Sequence, residues 1–147
     1  VAGLGLLAGV LLTLPHRLPR GEGPDLAPSR HWAAPIVMAE PEGDRGPVLV
    51  TVEYRIDPAM AHEFARAMRD VRRTRLRDGA FRWDLLSDPA DPGRYVESFM
   101  VESWLEHLRQ HERVTVSDGE VEERARRYHR GPGPPSVSHF IARDLPR

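Results

Sequence analysis

Seven prolines spaced through residues 15–47 decide where a packed domain can begin. Pro15, Pro19, Pro24, Pro28, Pro35, Pro41 and Pro47 each fix φ and remove a backbone donor, so neither a helix nor an interior strand can run through this stretch. Beyond Pro47 the pattern changes at once. Val48, Val50, Val52, Tyr54 and Ile56 alternate with Leu49, Thr51, Glu53 and Arg55, which is the period of a half-buried strand. The folded part of the chain is therefore expected from residue 47 onward.

That part reads as seven elements. Asp57-Pro58 supplies an N-cap and a first-turn proline for a long helix whose inner face carries Met60, Phe64, Ala67, Met68 and Val71. Arg72, Arg73, Arg75 and Arg77 crowd its last turns, and Gly79 ends it, so the cluster reads as a solvated helix end. Phe81, Trp83 and Leu85 alternate as a second strand. Asp88–Gly93 reads as a turn, and Tyr95, Glu97, Phe99 and Val101 mark a third strand joined hairpin-fashion to the second. Ser103 with Glu106 reads as a capping box for a short helix holding Trp104, Leu105 and Leu108. On it His107 and His111, four apart, share a face. Ser117 with Glu120 reads as a second capping box, opening a helix with Val121, Ala125 and Tyr128 on one side. Val137, His139 and Ile141 form a last strand. The order β-α-β-β-α-α-β implies an α+β, ferredoxin-like split βαβ domain over residues 47–143, with helices on one face of one sheet and a short tail at 144–147. The other sheet face would offer Leu49, Val96 and Met100. A second copy of the chain, giving a homodimer through the sheet face, or another domain of a parent chain would bury them.

Residues Val1–Leu14 are apolar apart from Thr13. As a helix they reach about 21 Å, short of the roughly 30 Å hydrocarbon core. Because the chain starts with Val inside this run, it reads as a truncated transmembrane helix, with Gly5 and Gly9 at small-xxx-small spacing. A signal peptide would need a basic start and a small-residue cleavage site, and neither precedes Pro15. His16, Arg17 and Arg20 follow immediately, which puts residues 15–147 on the cytoplasmic side. Residues 15–46 then form a Pro-rich linker that His31-Trp32 and Ile36-Val37-Met38 would pin against a neighbouring surface.

The chemistry is sparse. A net charge of -1 and the absence of a basic stripe argue against nucleic acid. With no cysteine there is neither a disulfide nor a thiolate nucleophile. There is no HExxH, no Gly-rich phosphate loop and no G-x-S-x-G, and His107 with His111 lacks a third metal ligand, so no cofactor or metal is expected. Glu53, Glu97 and Glu102 lie on strands. Opposite Arg55, Arg82 or Arg94 they read as cross-strand charge pairs; with His107, His111 and His139 they would instead build a site. The candidate pocket is Trp83, Trp104, His107 and His111, for a small-molecule ligand.

The segments GPVLVTVEYRID, RRTRLRDGAFRWDLLSD, DPGRYVESFMVESWLEHLRQHERVTVSD and VSHFIAR resemble the cytoplasmic tail of a major facilitator subgroup, the transmembrane secretion effectors, which includes relatives of enterobactin exporters. The resemblance covers residues 1–143. It implies the C-terminal part of an exporter in the cell inner membrane, with a non-catalytic tail domain for dimerisation or ligand sensing. No position matches the transport sites of such carriers, which lie between membrane helices. The element order and VESWLEHLRQHERVT also resemble the dimeric α/β barrels of the antibiotic-biosynthesis-monooxygenase type. That resemblance implies an alternative, an enzyme domain acting on a polycyclic or haem-like substrate. The haem-degrading members share an Asn, Trp and His set, and this chain, which has no Asn, departs from it.

Overall fold

Residues 23–146 are described by a computed structural model; the apolar run Val1–Leu14 and the first part of the linker lie outside the described residues. The alternation read from the sequence becomes β1 (Val48–Arg55), β2 (Arg82–Asp88), β3 (Asp91–Val101) and β4 (Ser136–Ile141). They form one antiparallel sheet in the order β2-β3-β1-β4. Three helices, α1 (Ala61–Arg77), α2 (Trp104–Arg113) and α3 (Val116–Arg126), complete the α+β, ferredoxin-like domain.

Register aligns the inner face in rows. Val50 stands between Phe99 and His139, and Val52 stands between Glu97 and Val137. Trp83 and Leu85 extend these rows from β2. Phe64, Met68 and Val71 of α1 pack on Val52, Tyr54 and Ile56, while Trp104 closes a second cluster on Val48, Val50, Phe99 and Val101. Fully burying one such side chain contributes about 1.5–3 kcal/mol, so these two clusters dominate the domain's stability. The opposite face carries Leu49, Val96 and Met100, half-buried, together with exposed Leu86 and Phe140.

Local chemistry sets the boundaries, in places differently from the sequence reading. Asp57 caps a single 3₁₀ turn, Pro58–Met60, by accepting from the Ala59 amide at 3.0 Å, and α1 proper starts after it. Gly79, at φ +110°, takes the left-handed conformation that ends α1. The expected turn at Asp88–Gly93 is shorter, because β3 already begins at Asp91 and Asp88 accepts from the Ala90 amide at 2.8 Å. The box opening α3 is Thr115 with Asp118 rather than Ser117 with Glu120. Asp118 accepts from the Thr115 amide at 2.9 Å, and the Ser117 amide instead donates to the Asp25 carbonyl. Ser103 does cap α2, but the Glu106 carboxylate turns to Arg113 at 2.5 Å and leaves that box half made.

The proline-rich segment lies across the domain as a strap with two anchors. At one end Ser29 N–H donates to the Val114 carbonyl and Val116 N–H to the Ala27 carbonyl. At the other, Trp104 N–H donates to the Arg45 carbonyl and Leu105 N–H to the Gly43 carbonyl, while Trp104 Nε1 donates to Glu40 at 2.7 Å. Gly46 permits the second anchor, since a Cβ there would collide with the Glu102 carbonyl. Between the anchors Trp32 turns inward, whereas Ile36 and Met38 are fully exposed and pin nothing.

Candidate functional site: a histidine-lined cavity closed by the strap

The inner sheet face, α2, α3 and the strap enclose a cavity of about 910 Å³. Its walls include Val50, Val52 and Phe99 from the sheet, Trp104, His107 and His111 from α2, His139 from β4, and Trp32 from the strap. Three of the four residues expected from the sequence thus meet there. Trp83 does not line the cavity: it packs in the core and donates its indole N–H to Glu97 at 3.0 Å.

The i, i+4 spacing on α2 brings the His107 and His111 rings together edge to face, 4.9 Å between centroids. His139, carried inward by the alternation of β4, lies 4.8 Å from His107. Trp104 flanks both, at 5.5 and 6.0 Å. His107 is 1% exposed, and neither of its ring nitrogens has a protein partner; the same holds for both amide atoms of the fully buried Gln110 one turn on. Burial, reinforced by the neighbouring His139 and His111, pushes His107 down to about 4. Burial also lowers His111 and His139. The three imidazoles are therefore neutral at pH 7, able both to accept and to donate a hydrogen bond. Among the described residues no group of three or more His, Cys, Asp or Glu is arranged to hold a metal ion.

A buried ion triad forms the floor beside them, and the sequence reading missed it. Arg72, Arg73 and Arg77 are exposed as expected of a solvated helix end, but Arg75 is not. Its Nε donates to Glu97 at 2.9 Å and its Nη1 to Glu122 at 2.5 Å, with all three side chains 8% exposed or less. Glu97 is thus a core partner of Arg75, while Glu53 stays on the outer face with Arg94, at 2.8 Å. Burial works against the charged form of Glu122, but the Arg75 guanidinium together with the hydrogen bonds from His31 and Trp32 outweighs it and holds this carboxyl down at about 2. Burial and the nearby Glu97 push the Tyr54 hydroxyl, on the cavity wall, well above its ordinary value. Trp32 completes the group: its Nε1 donates to both Glu122 oxygens at 2.8 and 2.9 Å, the Arg75 guanidinium lies 4.7 Å from its ring centre, and His111 meets it edge-on at 4.9 Å.

An antiparallel four-stranded sheet backed by helices is a fold shared with several bacterial proteins. The chain is similar to a Caulobacter crescentus protein described as an antibiotic biosynthesis monooxygenase, with 18% identity and a TM-score of 0.57 over 69% of this chain and 94% of the other. A Bordetella bronchiseptica protein of the same description has 18% identity and a TM-score of 0.56 over 69% and 100%. One from Nitrosomonas europaea has 16% identity and a TM-score of 0.51 over 73% and 96%. At such identities the likeness is one of fold. No curated protein matches the chain. By sequence the chain belongs to the transmembrane secretion effector family, whose model matches residues 1–146. Among the described residues no helix is long and apolar enough to cross a membrane.

Proposed function

We propose that residues 47–143 are the cytoplasmic ligand-sensing module of a major facilitator exporter in the cell inner membrane, with residues 1–14 the end of a membrane helix. One observation carries the sensing role. The cavity is walled by the strap itself, the segment that joins the domain to the apolar run, so an occupant of the cavity touches the connection to the membrane part. Family membership supports the transporter setting. The outer sheet face, with Leu49, Val96, Met100, Leu86 and Phe140, supports a homodimer through that face.

A second reading, an oxygenase-like enzyme on a polycyclic substrate, draws on a different observation. His107 is buried and stays neutral, as a proton acceptor must, and the fold is that of proteins described as monooxygenases. Against it, the imidazoles pack on one another, His111 edge-on and His139 tilted against His107, and among the described residues no carboxylate is hydrogen-bonded to them as a general base is usually oriented. Sedimentation of residues 23–147, which keep the strap that walls the cavity, with oxygen uptake followed in the presence of haem or anthracene, separates the two. A dimer that consumes no oxygen is expected; turnover that falls in His111→Ala would overturn the sensing role.

A further inference from the structure

Trp32, with His31 beside it, anchors the strap inward between residues 30 and 39, and its surroundings are those of a bound ligand rather than of a core side chain. Its ring lies against a guanidinium, its edge faces His111, and its sole donor is met by both oxygens of a buried carboxylate. His31 beside it reaches the same carboxylate, Nε2 to Glu122 at 3.4 Å. Gly119 makes room for this, because a Cβ there would sit 3.2 Å from His31 Nδ1. The receiving groups come from α1, α2 and α3, while the indole comes from a segment tied down by a few backbone bonds at each end and the Trp104–Glu40 hydrogen bond.

We infer that Trp32 is an intramolecular ligand. Its indole fills a subsite on the Arg75–Glu122 pair built for a flat aromatic ring bearing an N–H or O–H donor, and a compound of that class displaces it and frees the strap. The stack on Arg75 selects a π-face. The two Glu122 oxygens select a donor and reject an acceptor, since a carbonyl or ether oxygen there would face a carboxylate with no proton between them. A tethered competitor acts at an effective concentration in the millimolar range, so it lowers the apparent affinity of any free compound by the fraction of time the subsite is open. Ligand entry and strap release are then one equilibrium, which deepens the sensing role and rests on it.

The test uses the full 147-residue chain in detergent, with 5-fluoroindole as probe and fluorine NMR as readout. Trp32→Ala is expected to bind 5-fluoroindole at least tenfold more tightly than the unaltered chain, and to bind 1-methyl-5-fluoroindole, which lacks the donor, at least tenfold more weakly than 5-fluoroindole. Equal affinity of Trp32→Ala and the unaltered chain, or equal binding of the two probes, would overturn the inference. Should the variant fail to fold, the Trp32 indole N–H resonance of the unaltered chain serves instead. Movement toward its position in free tryptophan as 5-fluoroindole reaches millimolar concentration supports displacement, and an unmoved resonance refutes it. The two readings fail separately: a probe that shifts the His107 and His139 resonances without moving that of Trp32 would leave the sensing role standing and overturn only the latch, whereas a probe that moves neither the histidines nor Trp32 would overturn both.

Discussion

Arg75→Met should be among the most destabilising single substitutions in the domain. It keeps the apolar stem of the side chain but leaves the Glu97 and Glu122 carboxylates buried without a cation. Breaking a buried pair on one side costs about 3–5 kcal/mol. A second route gives a similar size: a Glu122 carboxyl held at about 2 against an ordinary 4.5, at about 1.4 kcal/mol per unit, contributes on the order of 3 kcal/mol. A urea titration followed by far-UV circular dichroism at pH 7 reads this directly. With a slope of about 1–3 kcal/mol per molar, the midpoint falls by about 2 M. The sign with pH is fixed as well. Because the folded-state value of Glu122 is depressed, its stabilisation is present above the unfolded value of 4.5 and is lost as pH falls toward 2. Arg75→Met should erase that acid dependence. Replacing the triad together, with Arg75→Met, Glu97→Leu and Glu122→Leu, should recover part of the loss, since no buried charge is left unpaired while the Trp83 and Trp32 indoles lose their acceptors. A midpoint shift under about 0.3 M for Arg75→Met alone would refute the reasoning.

Other consequences are checked as simply. His107, His111 and His139 are lowered below their ordinary value, so the unfolded chain binds more protons as pH falls. Stability should therefore decline from pH 6.5 toward 4, and His107→Leu should flatten that decline in urea titrations across pH. Met100→Glu on the outer face should convert a dimer to a monomer in sedimentation while leaving the circular dichroism spectrum unchanged; a persistent dimer would remove that face from the interface. Gly46→Ala should detach the second anchor of the strap, read as faster amide exchange at Trp104 and Leu105 with the β1–β3 ladder still protected.

What the sequence made legible follows from the range of the interactions. Strands β1, β3 and β4 announced themselves because alternation is a local signal that burial on one face imposes, and the β-α-β-β-α-α-β order followed from it. His107 and His111 were legible because i, i+4 spacing is local too. The start of α3 was misplaced because Thr115-x-x-Asp118 and Ser117-x-x-Glu120 both fit a capping box. The choice fell to a contact 92 residues distant in sequence, the Ser117 amide on the Asp25 carbonyl. Arg75 was hidden among exposed arginines, and Glu122 among the charges of a solvated-looking helix, since their pairing links α1, β3 and α3. That His31-Trp32 would pin the linker against a neighbouring surface was anticipated from their isolation in a polar stretch. Their partner was not, because Glu122 lies 90 residues away.

The central claim, that the cavity takes a small molecule without transforming it, is tested most directly by the imidazole resonances of the histidines as 1-naphthol is added under oxygen. His107, His111 and His139 should shift together and saturably, His62 on the exposed side of α1 should stay put, and the compound should be recovered unchanged. Resonances that do not move, or an oxidised product accumulating with the shift, would contradict the account.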